Sequence, residues 1–190
     1  MALGYLRTDW LTLDPTYGRG NWWKTFRPEQ LVTHDAQLDG VDFRQLPHAD
    51  NTFDCAVFDP PYICIGGRKT TNLGDFHDRY GILETPRTAQ GLQDLMNAGL
   101  TEVYRVVRPG AFVLMKCQDY VTGGGLWPGT HHSTTHALSL GFKLFDRLEH
   151  VSKNPRPQPK GRDGVPYTRQ VHARRNLSTL LIFRKPKKRR

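Results

Sequence analysis

The run Phe53-Asp54-Cys55-Ala56-Val57-Phe58 breaks off at Asp59-Pro60-Pro61-Tyr62, and this junction constrains the fold more than any other stretch. A short, largely apolar run bounded by turn residues reads as a buried strand. Proline cannot continue a ladder, so two in succession end the strand and stiffen the chain behind it. At a strand's carboxyl end, Asp59, Pro60, Pro61 and Tyr62 make a rigid clamp suited to a flat group that carries an exocyclic amine.

The rest of the chain alternates strands with helical stretches. Short strands are expected at Leu11–Asp14 and Leu31–Asp35. From Thr88 to Val107, apolar residues Leu92, Leu95, Met96, Leu100, Val103, Tyr104 and Val107 recur at spacings of three and four. That spacing predicts an amphipathic helix closed by Arg108-Pro109-Gly110. A buried strand follows at Ala111–Met115, a helix at Thr134–Leu140 stopped by Gly141, and two final strands at Phe142–Val151 and Leu177–Arg184. The alternation indicates an α/β fold with a doubly wound, mostly parallel sheet and ligands at the strands' carboxyl ends. Two long stretches, 63–85 and 152–172, fit no compact element and should project from the sheet.

At 190 residues the chain suffices for one domain with a real core. No apolar run approaches the roughly 20 residues of a membrane span. The amino terminus lacks a signal-peptide pattern. Cys55, Cys64 and Cys117 have no paired spacing, so a reducing, cytoplasmic setting is expected. The charge is uneven: residues 153–190 carry +12 and the other 152 residues −3. This reads either as a polyanion-binding surface or as a solvated basic segment.

Behind the first strand comes Asp14-Pro15-Thr16-Tyr17-Gly18-Arg19-Gly20. Glycines at 18 and 20 permit a tight turn or a close approach of backbone to ligand, but the third glycine of a dinucleotide fingerprint is missing. The next strand ends in Asp35, where nucleoside-binding sheets place an acid for ribose hydroxyls. Asp42-Phe43 then offers a carboxylate and an aromatic for an adenine ring. His131, His132 and His136 have no acid or cysteine nearby to complete a metal site, so no metal is expected. Lys116-Cys117-Gln118-Asp119 either lines the pocket or caps a loop, and Gly123-Gly124-Gly125 reads as a flexible loop.

Taken together, these motifs resemble the class I S-adenosylmethionine-dependent methyltransferases of the DPPY amino-methyltransferase group, which modify exocyclic amines of nucleic-acid bases. The likeness covers roughly residues 9–151 and the last strand, and extends to small phage-type adenine-N6 methylases. It implies a Rossmann-like fold with an antiparallel last strand, forming a single domain over 1–184. A basic insertion would interrupt this domain at about 152–172, and 185–190 would form a basic tail. It also implies S-adenosylmethionine bound by Asp14, Tyr17, Gly18, Gly20, Asp35, Asp42 and Phe43, with catalysis by Asp59, Pro60, Pro61 and Tyr62. Arg68, Lys69, Arg79, Arg156, Lys160, Arg162, Arg169, Arg174 and Arg175 would contact nucleic acid.

By the same resemblance, Asp59 and the Pro60 carbonyl accept the two amine hydrogens and Tyr62 stacks on the base. Asp at the first clamp position favours adenine over cytosine, and the leading expectation is adenine in DNA. An RNA methyltransferase acting on adenine N6 or guanine N2, or a silent nucleic-acid-binding protein of the same fold, remain alternatives. DNA methylases of this kind generally carry a separate recognition domain, for which this chain has no room. Either the basic loops would then supply modest recognition, or the substrate is structured RNA, or a specificity partner reads the target.

Overall fold

The computed structural model describes residues 3–62, 64, 86–152, 164–165, 172 and 177–187. Its elements in chain order are β1 (Leu11–Asp14), a 3-10 turn (Asn21–Trp23), β2 (Gln30–Thr33), β3 (Phe53–Phe58), α1 (Ala89–Val106) and β4 (Val107–Cys117). There follow β5 (Tyr120–Thr122), β6 (Gly125–Trp127), α2 (Gly129–Ser139), β7 (Lys143–Val151) and β8 (Leu177–Arg184). Six strands form one sheet in the order β2-β1-β3-β4-β8-β7. The first four are mutually parallel, and β8 runs antiparallel to both β4 and β7. This is the mostly parallel sheet with an antiparallel last strand that the alternation and the resemblance predict.

α1 forms where the three-and-four spacing places it. The Thr88 side chain accepts the Gly91 N–H at 3.0 Å and satisfies one of the orphan donors of the first turn. Leu92, Leu95, Met96, Leu100 and Val103 are buried against Phe43, Phe58 and the β4 side chains. The far end of the helix is held by a cation. Lys185 Nζ donates to the carbonyls of Tyr104 at 2.7 Å and Val107 at 2.8 Å and to Asn51 Oδ1 at 2.9 Å. A buried ammonium there offsets the unpaired carbonyls and the negative helix end. This corrects the reading of 185–190 as a tail: Lys185 is part of the fold, and its backbone continues the β4–β8 pairing through Ala111 and Gly110.

The two faces of the sheet are covered differently. One face packs under α1 and α2. On the other, Cys55, Val57, Leu114 and Ile182 lie beneath Tyr5, Leu6, Trp10, Trp22 and Trp23, contributed by the amino-terminal segment and the 3-10 turn. Among the described residues no helix covers that second face. The crossover from β2 to β3 also lacks a helix, and Arg105 of α1 pins it instead. Its guanidinium donates to the carbonyls of His48 at 2.7 Å and Leu46 at 3.0 Å, while Glu102 accepts the Leu46 N–H at 2.9 Å.

Three local expectations change. α2 begins at Gly129, five residues before the predicted start, because Asp119 accepts the backbone N–H and hydroxyl of Thr130. β4 starts at Val107, directly after α1, so Arg108-Pro109-Gly110 lies inside a strand. Gly123 and Gly124 form the turn of the β5–β6 hairpin, with φ of 57° and 81° and Thr122 paired to Gly125. Positive φ at both central residues matches the twist of flanking strands, so this glycine run is ordered hairpin, not flexible loop.

Candidate active site

Parallel strands β1 to β4 bring their carboxyl ends to one edge, where open α/β sheets bind ligands. β1 delivers Asp14, the chain behind β2 delivers Asp35, and β3 delivers Asp59. The register pairs Phe58 with Met115, so the next residues, Asp59 and Lys116, meet at neighbouring strand ends.

The glycine turn is tied to both neighbours. Asp14 is 2% exposed. Its Oδ2 accepts Trp23 Nε1 at 2.7 Å, and its Oδ1 accepts the Thr16 N–H at 3.0 Å and the Thr16 hydroxyl at 3.3 Å. Burial pushes its pKa up to about 6, against the Trp23 and Thr16 hydrogen bonds, and the Asp59 charge adds to the rise. Asp35, also buried, accepts Gly18 N–H at 3.0 Å and Gln37 N–H at 2.9 Å on separate oxygens. Gly20 has φ 65°, and a Cβ there would lie 2.7 Å from the Tyr17 hydroxyl oxygen, so the turn requires glycine.

Thr16 couples this turn to the clamp. Its hydroxyl oxygen accepts the Asp59 N–H at 2.9 Å while its proton is directed at Asp14. Asp59 Oδ2 lies 3.5 Å from Lys116 Nζ. The same ammonium stands 5.6 Å from the centroid of the Tyr62 ring. Pro60 and Pro61 are buried, and Tyr62 is half-buried against the core. Burial raises the Asp59 pKa, and the Lys116 charge opposes that rise.

The other expected residues divide. Tyr17 donates its backbone N–H to the His34 carbonyl at 3.1 Å and stands beside Gly20. Asp42 is paired with its neighbour Arg44, Oδ2 to Nε at 2.8 Å, which holds its carboxyl below the usual range despite the opposing effect of burial. Phe43 is corrected: its ring is 8% exposed, edge-on to Phe58 at 5.5 Å and against Gly99, so it is a core side chain and not an adenine platform. The nine basic residues expected to contact nucleic acid, from Arg68 to Arg175, lie outside the described residues.

Sequence reasoning missed Thr16 and Trp23, whose partners become visible only once the strands are aligned. Lys116 stood in a stretch read either as pocket lining or as a loop cap, and the structure places it in β4 with its ammonium beside Asp59 and Tyr62. Beside Asp35, His34 Nδ1 lies 2.6 Å from Asp39 Oδ2 and its Nε2 lies 2.7 Å from His48 Nε2, a relay with no sequence signature.

No protein-family model matches the chain and no curated protein matches it. Solved structures do. A candidate methyltransferase from Bacillus halodurans superposes with a TM-score of 0.56 at 15% identity, over 96% of this chain and 94% of that one. An S-adenosylmethionine-dependent methyltransferase from Methanosarcina mazei gives 0.51 at 13% identity, over 97% and 96%. The chain has the Rossmann-like fold of S-adenosylmethionine-dependent methyltransferases. A candidate DNA modification methylase from Thermus thermophilus, crystallised with S-adenosyl-L-methionine, gives 0.48 at 20% identity over 78% of this chain and 55% of that one. This chain therefore spans about half the length of that neighbour.

Open α/β sheets bind ligands at the edge described above, and the residues present there suit a nucleoside. Asp35 has about four lone-pair sites, of which two are used by the protein. The glycine turn beside it lacks side chains at 18 and 20. Among the described residues no helix is long and apolar enough to cross a membrane.

Proposed function

We propose that this protein is an S-adenosylmethionine-dependent methyltransferase acting on the exocyclic amino group of adenine in DNA. One observation carries the reading. The Thr16 hydroxyl binds Asp14 of the cofactor turn and Asp59 of the clamp together, so methyl donor and amine acceptor would be held in one bonded frame.

The bound cofactor supplies an electrophilic sulfonium methyl group. Asp35 and Asp42 would hold its nucleoside part, against the bare backbone of Gly18 and Gly20 and beside Tyr17. An exocyclic amine is a weak nucleophile because its lone pair is delocalised into the ring. Asp59 and the Pro60 carbonyl accept the two amine hydrogens, which localises the lone pair on nitrogen. A charged acceptor makes the stronger of these bonds. Pro61 fixes the direction of the loop, and Tyr62 stacks on the base, worth ~1–3 kcal/mol. Alignment of the amine with the methyl group supplies much of the rate. In a duplex the base is first extruded from the stack. The +12 of residues 153–190 offers phosphate contacts, to which Arg156, Lys160, Arg162, Arg169, Arg174 and Arg175 would contribute, with Arg68, Lys69 and Arg79 from the stretch that follows the clamp in sequence.

The test is transfer of a labelled methyl group from S-adenosylmethionine to unmethylated bacterial DNA and, in parallel, to ribosomal RNA. Label enters DNA, and Asp59→Ala lowers the rate by about 100-fold or more, the usual cost of removing one preorganised polar group from a reacting centre. Calorimetric binding of the cofactor persists in that variant. Label in RNA alone transfers the reading to RNA, and neither label nor cofactor binding ends it.

A further inference from the structure

Lys116 meets, in one position, two of the groups that the clamp would offer a target base, the Asp59 carboxylate and the Tyr62 ring. Its ammonium has N–H donors 3.5 Å from Asp59 Oδ2 and stands over the face of the Tyr62 ring at 5.6 Å. The position is built by the sheet. Lys116 follows four residues of apolar strand in β4 and is paired on its other side to Leu180 of β8. Its side chain is only 29% exposed and that of Asp59 30%. At 3.5 Å the contact is longer than a charge-assisted hydrogen bond of about 2.8 Å. Lys116 therefore supplies charge without closing the acceptor geometry of the carboxylate.

An acceptor for an amine must be ionised, because a protonated carboxyl presents a donor in place of one acceptor. Asp59 stands where that ionisation is opposed by burial. Among the described residues, Lys116 is the cation facing it, Asp14 the anion, and Tyr62 the neutral ring. We propose that Lys116 is a positioning residue: its ammonium rests in the amine seat between Asp59 and Tyr62, keeps the carboxylate charged, and is displaced by the target base. This rests on the reading of Asp59 to Tyr62 as an amine clamp.

The experiment uses Lys116→Met, which keeps the stem and loses the charge, and Lys116→Arg, which keeps the charge. The carboxyl carbon of Asp59, assigned with Asp59→Asn, is titrated by NMR in the nucleic-acid-free protein. Its midpoint rises by about one pH unit or more in Lys116→Met, the effect of losing an opposite charge at this range, and returns towards wild type in Lys116→Arg. The acid limb of kcat/KM for methyl transfer to unmethylated bacterial DNA moves upward by the same amount in Lys116→Met only. The salt dependence of DNA binding keeps its slope, because the ammonium leaves the seat without binding a phosphate.

An unmoved carboxyl midpoint overturns the proposal. So does a salt slope reduced by about 1, which would make Lys116 a phosphate contact. The titration needs no substrate. A shifted midpoint in a protein that transfers no methyl group upholds the hold of Lys116 on Asp59 and removes the methyltransferase reading alone.

Discussion

Asp14 shows how one buried side chain can link site architecture to stability. Its carboxyl is pushed up to about 6, while the ordinary value is 3.8. Between those values the folded chain holds a proton that the unfolded chain has released. The stability contributed by this group is therefore fully present below pH 3.8 and is lost as pH rises through 6, an effect on the order of 3 kcal/mol. His48 works the other way: burial, then the charges of His34 and Arg105, lower its pKa, so its contribution is lost as pH falls. Asp14→Asn separates the two. Urea unfolding of the variant, compared with wild type at pH 5 and pH 7.5, should lack the part of the decline that belongs to Asp14, whatever constant cost the amide adds. An identical pH dependence in both proteins would contradict the burial argument. The acid itself was legible as the last residue of a strand. Its partners were not: Trp23 lies nine residues away, and Thr16 reaches Asp59 across a separation of 43, and such pairings leave no periodic trace.

Elements with internal periodicity were legible, and elements defined by remote partners were not. α1 follows from its apolar spacing and the Thr88 cap. The start of α2 is set by Asp119, eleven residues before Thr130, and no local rule reveals it. The end of α1 depends on Lys185, 81 residues from the Tyr104 carbonyl it binds, so a run of basic residues concealed a structural lysine. Lys185→Met removes the donor from the buried Val107 carbonyl, the part-buried Tyr104 carbonyl and the side chain of the exposed Asn51. It should cost about 2–4 kcal/mol, since hydrogen bonds to charged groups carry about 1.5–3 each and share one ammonium here. Lys187→Met, at an exposed position, should stay within about 0.5 kcal/mol. Chemical denaturation measures both, and equal effects would return Lys185 to the surface.

For the whole molecule, the strand alternation foretold the parallel sheet and the edge at which the site lies. It did not foretell that, among the described residues, the second face is closed by tryptophans and a tyrosine and by no helix. Composition cannot distinguish a crossover pinned by Arg105 from one filled by a helix. Asp35 and Asp59 were legible as acids because each lies just past the carboxyl end of a strand, and Phe43 was misread because an aromatic beside a turn acid looks the same whether it faces a ligand or Phe58. In the proposed function, the chemistry of the clamp rests on Asp59, Tyr62 and their neighbours, and the choice of polymer on the basic segments.

The most direct test of that chemistry is mass analysis of nucleosides from a methylation-deficient bacterial host expressing the protein. The account predicts N6-methyldeoxyadenosine in the host DNA with the wild-type chain and none with Asp59→Ala. DNA free of methylated adenine, or a mark equally abundant with Asp59→Ala, would contradict it.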